Sequence, residues 1–181
     1  PPAVVAVRAE GCPPLASEGV GTIVAAGEVL TAAHTVAGAE RVTVAGEPAE
    51  VVALDAANDL ALLRIADVRT APLPRTDVTP GRGTRADAYV RRDGGIRRID
   101  VIIVRPVVIA TTDIHHETDV ERQGFELAGP IEPGDSGAPL VVGGRMVGVV
   151  WARSTASPGR AYAVAAGTFS PAAGGDRCSP G

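Results

Sequence analysis

The chain has 181 residues, of which 45% are hydrophobic and 21% are charged. This composition suits one domain or two small joined lobes and argues against a disordered segment. The formal net charge of -4 argues against a nucleic-acid partner. No apolar run reaches the roughly 18 residues that span a bilayer, so no membrane contact is expected from this segment.

Short Val- and Ile-rich stretches separated by Gly and Pro predict an all-β fold. In the first half, six strands are predicted at residues 3–8, 19–25, 28–33, 41–45, 49–55 and 60–65. The Pro-rich residues 72–80 then predict a connection between two lobes. In the second half, strands are predicted at residues 84–91, 96–104, 107–111, 124–127, 138–142, 145–151 and 160–164, with a polar loop over 112–123.

About six strands in each half fit two packed, six-stranded antiparallel β-barrels. The predicted boundaries are residues 1–72 for the first lobe, 73–83 for the linker, and 84–181 for the second lobe with its C-terminal tail. Arg91-Arg92 and Arg97-Arg98 flank Asp93-Gly94-Gly95, a hairpin signal. These arginines are interpreted as a solvated hairpin edge in preference to a binding patch.

Three segments carry residues suited to acyl-transfer chemistry. His34 ends a strand of small residues, where a general base can be held rigidly. Asp59 precedes an apolar strand, where a carboxylate can orient a histidine ring. Ser136 lies in the turn Gly134-Asp135-Ser136-Gly137, which can present a hydroxyl together with free amides. Each residue alone has an ordinary explanation as a polar or turn residue, but the three together predict a catalytic triad.

The order His, Asp, Ser separates this chain from other hydrolases. Subtilisin-like enzymes have the order Asp, His, Ser, and α/β-hydrolases have the order Ser, acid, His. The serine turn is also no Gly-x-Ser-x-Gly elbow, because Ala138 occupies the last position. The segments around the three residues resemble the signature motifs of the trypsin/chymotrypsin superfamily over nearly the whole chain. The resemblance implies a chymotrypsin-like fold and an oxyanion hole formed by the amides of Gly134 and Ser136.

Within this superfamily, residues 19–24 and 29–38 resemble the protease domain of the high-temperature-requirement family. They resemble still more the actinobacterial membrane-anchored periplasmic serine proteases linked to acid resistance. The resemblance implies an extracytoplasmic location and a disulfide between Cys12 and Cys178. From the residues alone, one bridge tying both ends of the domain and two unrelated thiols both remain open. The Ile-Val-Gly-Gly start of trypsins is missing, so a new N-terminus is not expected to pair with Asp135.

The resemblance also locates the substrate pocket. Its base falls on Pro130, which is not an acid, so a trypsin-like preference for Arg or Lys has no anchor. An apolar P1 residue of small or medium size is expected; Arg160 or Arg153 turned inward would instead favour an acidic one, although exposed arginines are the favoured interpretation. The predicted substrate-binding residues are Pro130, Ile131, Val150, Trp151, Arg160 and Ala161.

Together these features predict a monomeric serine endopeptidase that acts on proteins or peptides through an acyl-enzyme, with no cofactor and no metal. His115 and His116, with Asp113 and Glu117, are assigned to a solvated loop in preference to a metal site. The alternative function is a catalytically silent or latent protease-fold module that binds peptides. The chain begins at Pro1 and its single methionine is Met146, which predicts a processed or excised piece, so that any signal peptide or membrane anchor would lie outside the given sequence.

Overall fold

The computed structural model describes residues 3–11, 16–66, 69–169 and 172–173. Apart from one helical turn and one short 3-10 turn, the regular structure is β, so the predicted all-β fold is confirmed. The elements in the first half are β1 (Val4–Glu10), β2 (Ser17–Ala25), β3 (Glu28–Ala32), α1 (Ala33–Val36), β4 (Arg41–Val44), β5 (Glu47–Asp55) and β6 (Leu60–Ile65). Those in the second half are β7 (Thr84–Arg92), β8 (Gly95–Thr112), β9 (Asp119–Ala128), β10 (Pro139–Val142), β11 (Arg145–Arg153), β12 (Arg160–Ala165), the 3-10 turn Ala166–Thr168 and β13 (Ala172–Ala173).

The first six strands form one antiparallel sheet in the order β5-β4-β1-β2-β3-β6. Because β5 also pairs with β6, the sheet closes on itself. Val7, Val29 and Leu63 point inward and are fully buried, as alternating positions of a barrel strand require. The two-residue strand β13 is added outside the ring, along β5, so the chain returns to the first barrel after the second is complete.

The second barrel is closed in the order β10-β11-β12-β9-β8-β7. Two sequence predictions are wrong here. Residues 96–104 and 107–111 belong to the single strand β8, because a register shift between Ile103 and Arg105 admits Pro106 without ending the pairing with β9. The predicted loop over residues 112–123 also ends early, since β9 begins at Asp119. The alternation of apolar and polar residues at the start of β9 was not visible in the sequence, because the residue that faces inward there is Arg122 and not an apolar residue.

The two barrels share their cores. One buried cluster combines first-barrel residues with Val141, Met146 and Val164 of the second. The other takes Val4 and Val20 from the first barrel into the core of the second. In the part of the chain that the structure describes, no helix has the length and apolar character needed to cross a membrane. The two barrels are therefore packed against each other through shared buried residues.

Candidate active site

His34 lies on the helical turn α1, directly after β3 ends at Ala32. Its backbone amide donates to Asp59 Oδ1 at 2.8 Å, and its Nδ1 lies 2.6 Å from Asp59 Oδ2. The amide of Ala33 donates to the carbonyl of Asp59 at 3.0 Å. The imidazole remains accessible, with 39% of the side chain exposed, whereas the Asp59 side chain is 3% exposed. One edge of the ring is thus held by a buried carboxylate, while part of the ring remains accessible to solvent.

Asp59 ends the turn of residues 55–59 that joins β5 to β6. Its φ of 58° is left-handed, a conformation that Asp tolerates better than most residues. Asp55 Oδ1 accepts from the amide of Asn58, and Asp55 Oδ2 accepts from its Nδ2. The same Nδ2 donates to the carbonyl of Thr168 at 3.2 Å. Local side-chain hydrogen bonds therefore shape the turn that delivers Asp59.

Ser136 comes from the second barrel, in the turn before β10. Its Oγ lies 2.9 Å from His34 Nε2, so the structure brings His34, Asp59 and Ser136 into one hydrogen-bonded chain. The residue after the serine must be glycine, because Gly137 has a φ of 90° and a Cβ there would overlap the carbonyl oxygen of Val20. The nucleophile turn is therefore packed tightly against β2 of the first barrel.

The backbone amides of Gly134 and Ser136 were predicted to form an oxyanion hole. Within the described part of the chain, neither amide has a hydrogen-bond acceptor. Gly134 has a φ of 92°, and a Cβ there would meet nothing within 4 Å. Glycine is thus favoured at position 134 by its backbone conformation, and the space beside it is open.

Arg92 corrects the prediction of a solvated hairpin edge. Its guanidinium binds both carboxylate oxygens of Asp135, through Nη1 and, at 2.8 Å, through Nη2. Nη2 also donates to the carbonyl of Pro130 at 3.0 Å, and Nε lies 3.3 Å from Glu132. The hydrogen bond to Asp135 raises the pKa of Arg92. Asp135 is completely buried, and a buried carboxylate needs a cation beside it. Because the sequence lacks the Ile-Val-Gly-Gly start whose N-terminus fills this role in trypsins, an internal arginine was the remaining kind of partner.

A cavity of about 290 Å³ opens beside His34 and Asp59. Its wall includes Arg122 and Trp151, and the Arg122 guanidinium lies 4.5 Å above the centre of the Trp151 ring. Burial lowers the pKa of Arg122, while the nearby carboxylates oppose this shift. Sequence reasoning did not single out Arg122, because no periodic pattern marks a buried arginine. The remaining lining residues are Thr111, Thr112, Asp113, Ile114 and His116.

The six predicted substrate-binding residues have different environments. Ile131, Val150 and Ala161 are buried in the second core cluster, and Pro130 is exposed. Arg160 is half-buried, while Arg153, its alternative, is exposed. Trp151 lines the cavity beside His34. The predicted P1 preference stays a prediction.

The two predicted loop histidines make local contacts in the β8–β9 hairpin. His116 Nδ1 is 3.0 Å from Thr112 Oγ1, and the amide of His115 donates to Asp113 Oδ1. Among the residues that the structure describes, no group of three or more His, Cys, Asp or Glu side chains is arranged to hold a metal ion. Cys12 and Cys178 both lie outside the described residues.

Known proteins resemble this chain in both sequence and architecture. The family model of the trypsin-like peptidase domain matches residues 19–149. Serine protease Rv3671c of Mycobacterium tuberculosis H37Rv is 32% identical over 143 residues, which is 74% of this chain and 36% of the relative, so the chain spans about a third of that protein. The same values hold for serine protease MT3772 of Mycobacterium tuberculosis CDC 1551 / Oshkosh.

Solved structures extend the likeness. The active form of the Rv3671c protease superposes with a TM-score of 0.88 at 26% identity, over 98% of this chain and 86% of that one. Its inactive form gives 0.80 at 29% identity, over 92% and 84%. The HtrA-type protease AlgW, solved with a tripeptide, gives 0.73 at 26% identity, over 92% and 57%. The predicted superfamily is confirmed, and the chain belongs to the trypsin-like peptidase family of serine endopeptidases.

Proposed function

We propose that His34, Asp59 and Ser136 are the catalytic triad of this serine endopeptidase. The observation that carries the proposal is the continuous chain of contacts Asp59 Oδ2–His34 Nδ1 and His34 Nε2–Ser136 Oγ, at 2.6 and 2.9 Å. These distances put a base within reach of a hydroxyl and a carboxylate behind the base.

The reaction proceeds in two acyl-transfer steps. Ser136 Oγ attacks the scissile carbonyl while His34 Nε2 takes its proton, and the imidazolium that forms is stabilised by Asp59. His34 then gives the proton to the leaving amine, and the peptide C–N bond breaks. Water, deprotonated by His34, attacks the acyl-enzyme, and the proton returns to Ser136 as the ester bond breaks. His34 is therefore the general base that accepts a proton in each of the two steps.

The amides of Gly134 and Ser136 are the proposed oxyanion hole. Preorganised donors at a developing oxyanion contribute about 3 to 4 kcal/mol each to transition-state stabilisation. The free amides and the open space beside Gly134 support this role. Arg92 supports this role, because its contacts with Pro130, Glu132 and Asp135 hold the loop that carries both amides in place.

The substrates are proposed to be proteins or peptides whose P1 residue is apolar and of small or medium size. Pro130 supplies no carboxylate for a basic P1 side chain, which is the basis of this assignment. An extracytoplasmic location, a disulfide between Cys12 and Cys178 and a monomeric state belong to the same proposal. The location and the disulfide rest on the resemblance to envelope proteases, and β13 supports the disulfide because it brings the C-terminal part of the chain back to the first barrel.

A fluorophosphonate probe on the purified protein tests the triad. We expect covalent labelling of the wild type at Ser136, none of Ser136→Ala, and wild-type labelling of Ser157→Ala, whose serine is exposed and distant in sequence. Peptide-library cleavage then separates an endopeptidase from the silent peptide-binding alternative. A wild-type protein that binds peptides but neither cleaves them nor accepts the probe would contradict the proposal.

A further inference from the structure

Arg122 of β9 is a buried cation to which the proposed mechanism gives no role. It is 3% exposed, and it is the only cation among the described residues that is buried to this degree. Burying a charge is costly unless hydrogen bonds and opposite charges compensate it. Its strand neighbours Glu121 and Gln123 are exposed, so Arg122 occupies the inward position between them, where an apolar residue would avoid this cost. The inward orientation therefore calls for a specific reason.

The guanidinium connects the second barrel to the turn that carries Asp59. Its Nε donates to the carbonyl of Ala57 at 2.6 Å. Its Nη2 donates to the carbonyl of Thr112, at the end of β8, at 3.1 Å. Its flat face lies over Trp151, which fixes the plane of the guanidinium. Arg122 is thus held on its own barrel and binds the other barrel two residues before Asp59.

A second contact joins the same two segments. The amide of Ile114, at the tip of the β8–β9 hairpin, donates to the carbonyl of Ala56 at 3.2 Å. Two consecutive carbonyls of the Asp59 turn are therefore bound by one hairpin of the other barrel. The turn needs such support, because Asp59 has the left-handed φ of 58°, a conformation that persists only where its surroundings impose it.

The charge of Arg122 also matches its surroundings. Asp55 and Asp59 are both buried in one turn, where two carboxylates without a cation would repel each other. Asp55, Asp59 and Asp113 all interact favourably with the guanidinium. The other titratable groups that face this cavity are His34 and His116. Arg122 is therefore the positive charge in a cluster of three carboxylates and two imidazoles.

We propose that Arg122 is a positioning residue for the triad, holding the Asp59 turn in register through Ala57 and compensating the charge of its carboxylates. This role rests on the proposed function of His34, Asp59 and Ser136. Arg122 touches no reacting atom; it acts through Asp59 on the orientation of His34. Misplacing a catalytic group by about 1 Å costs on the order of a hundredfold in rate, so a loosened turn has a measurable effect on turnover.

The test compares Arg122→Gln, Arg122→Lys and Arg105→Gln with the wild type. Gln removes the charge, whereas Lys keeps it without the planar pair of hydrogen bonds. Arg105 is the matched control, an arginine on the same hairpin that is exposed and paired with Glu126 at 2.8 Å. The readouts are the rate of fluorophosphonate labelling against pH, kcat and KM for one peptide, and the melting temperature.

We expect Arg122→Gln to lower both the labelling rate and kcat by about tenfold or more, with KM little changed. The acid limb of its labelling-against-pH profile should shift, because the positive charge that compensates the Asp55 and Asp59 carboxylates is lost. Arg122→Lys should lose rate but keep the wild-type acid limb, and Arg105→Gln should match the wild type. If Arg122→Gln does not fold, the Lys variant alone decides, by reduced kcat at unchanged KM.

Wild-type labelling rates in Arg122→Gln, or in Arg122→Lys if it alone folds, would overturn the proposal. So would a lower melting temperature with an unchanged pH profile and unchanged kcat, which would indicate a purely structural role. A wild-type protein that fails to label at all would instead contradict the proposed triad. The two failures are therefore distinguishable.

Discussion

The carbonyl oxygen of Ser136 accepts a hydrogen bond from the amide of Val20 at 2.8 Å. Val20 lies on β2 of the first barrel, so the barrel that supplies His34 and Asp59 also holds the backbone of the nucleophile turn. The contact is close enough that Gly19 and Gly137, on its two sides, leave no room for a side chain. The alignment of Ser136 with His34 therefore depends on backbone packing as well as on the side-chain hydrogen bond.

Gly137→Ala should be markedly more destabilising than Gly134→Ala. Both positions have a φ near 90°, so both variants bear the strain of a left-handed non-glycine residue, about 1–3 kcal/mol. Only at Gly137 does the added Cβ also overlap the Val20 carbonyl. Urea unfolding of the two variants measures the difference. Equal losses of stability would show that the turn moves away from β2 without cost.

Arg92→Met should lower stability by about 3 kcal/mol and reduce fluorophosphonate labelling, because it leaves Asp135 buried without its partner. Adding Asp135→Asn to Arg92→Met should restore part of the stability, since the uncompensated charge is then gone. Arg97→Met serves as the control, because Arg97 is an exposed arginine of the same β7–β8 hairpin. Additive effects in the double variant, measured by urea unfolding, would contradict the coupling.

The tip of the β8–β9 hairpin should loosen in acid. Asp113 Oδ1 accepts from the amides of Glu117 and His115, and these hydrogen bonds lower the pKa of the carboxyl from its usual 3.8. A lowered folded-state pKa stabilises the tip above pH 3.8, and this contribution is lost as the pH falls through the folded-state value. The amides of residues 114–118 should therefore lose protection against hydrogen exchange, relative to the intrinsic rate at each pH, below pH 3.8 in the wild type. Asp113→Asn should lack this pH-dependent step; the same step in both proteins would assign it to another group.

Reducing agents should lower the melting temperature if Cys12 and Cys178 are bridged. In the chain-entropy model, closing a loop of this length stabilises the folded protein by about 5 kcal/mol. Alkylation followed by mass spectrometry gives the number of free thiols before and after reduction. A Cys12→Ser/Cys178→Ser variant is the control and should be insensitive to reductant. Two alkylated thiols in the untreated protein would contradict the bridge.

The sequence predicted the strands well where apolar and polar residues alternate. The bounds of β2, β6 and β7 differ from the prediction by two residues at most. It failed where a local exception was compensated by tertiary contacts. Pro106 stays within β8 because it follows a bulge. The predicted strand at 124–127 was shorter than β9 because Arg122 occupies an inward position. Neither compensation can be inferred from periodicity alone.

The proximity of His34, Asp59 and Ser136 was expected from three motifs in one order. The two arginines that support them were not, because a buried arginine has no periodic signature and its partners are distant in sequence. Arg92 lies 43 residues from Asp135, and Arg122 lies 65 residues from Ala57. The need of Asp135 for a cation could be inferred, but the sequence did not indicate which arginine would pair with it.

The connection between the barrels has a thermodynamic consequence. Leu73 donates its amide to Ile23 of β2, and the next residues exchange hydrogen bonds with Met146: its amide donates to the carbonyl of Pro74, and its carbonyl accepts from Thr76. Met146 is also buried in the cluster that both barrels share. Separating the barrels would therefore expose the shared cluster and also break the hydrogen bonds between Met146 and the connecting segment. Half-unfolded molecules should be scarce at equilibrium, and heat or denaturant should melt both barrels in a single transition.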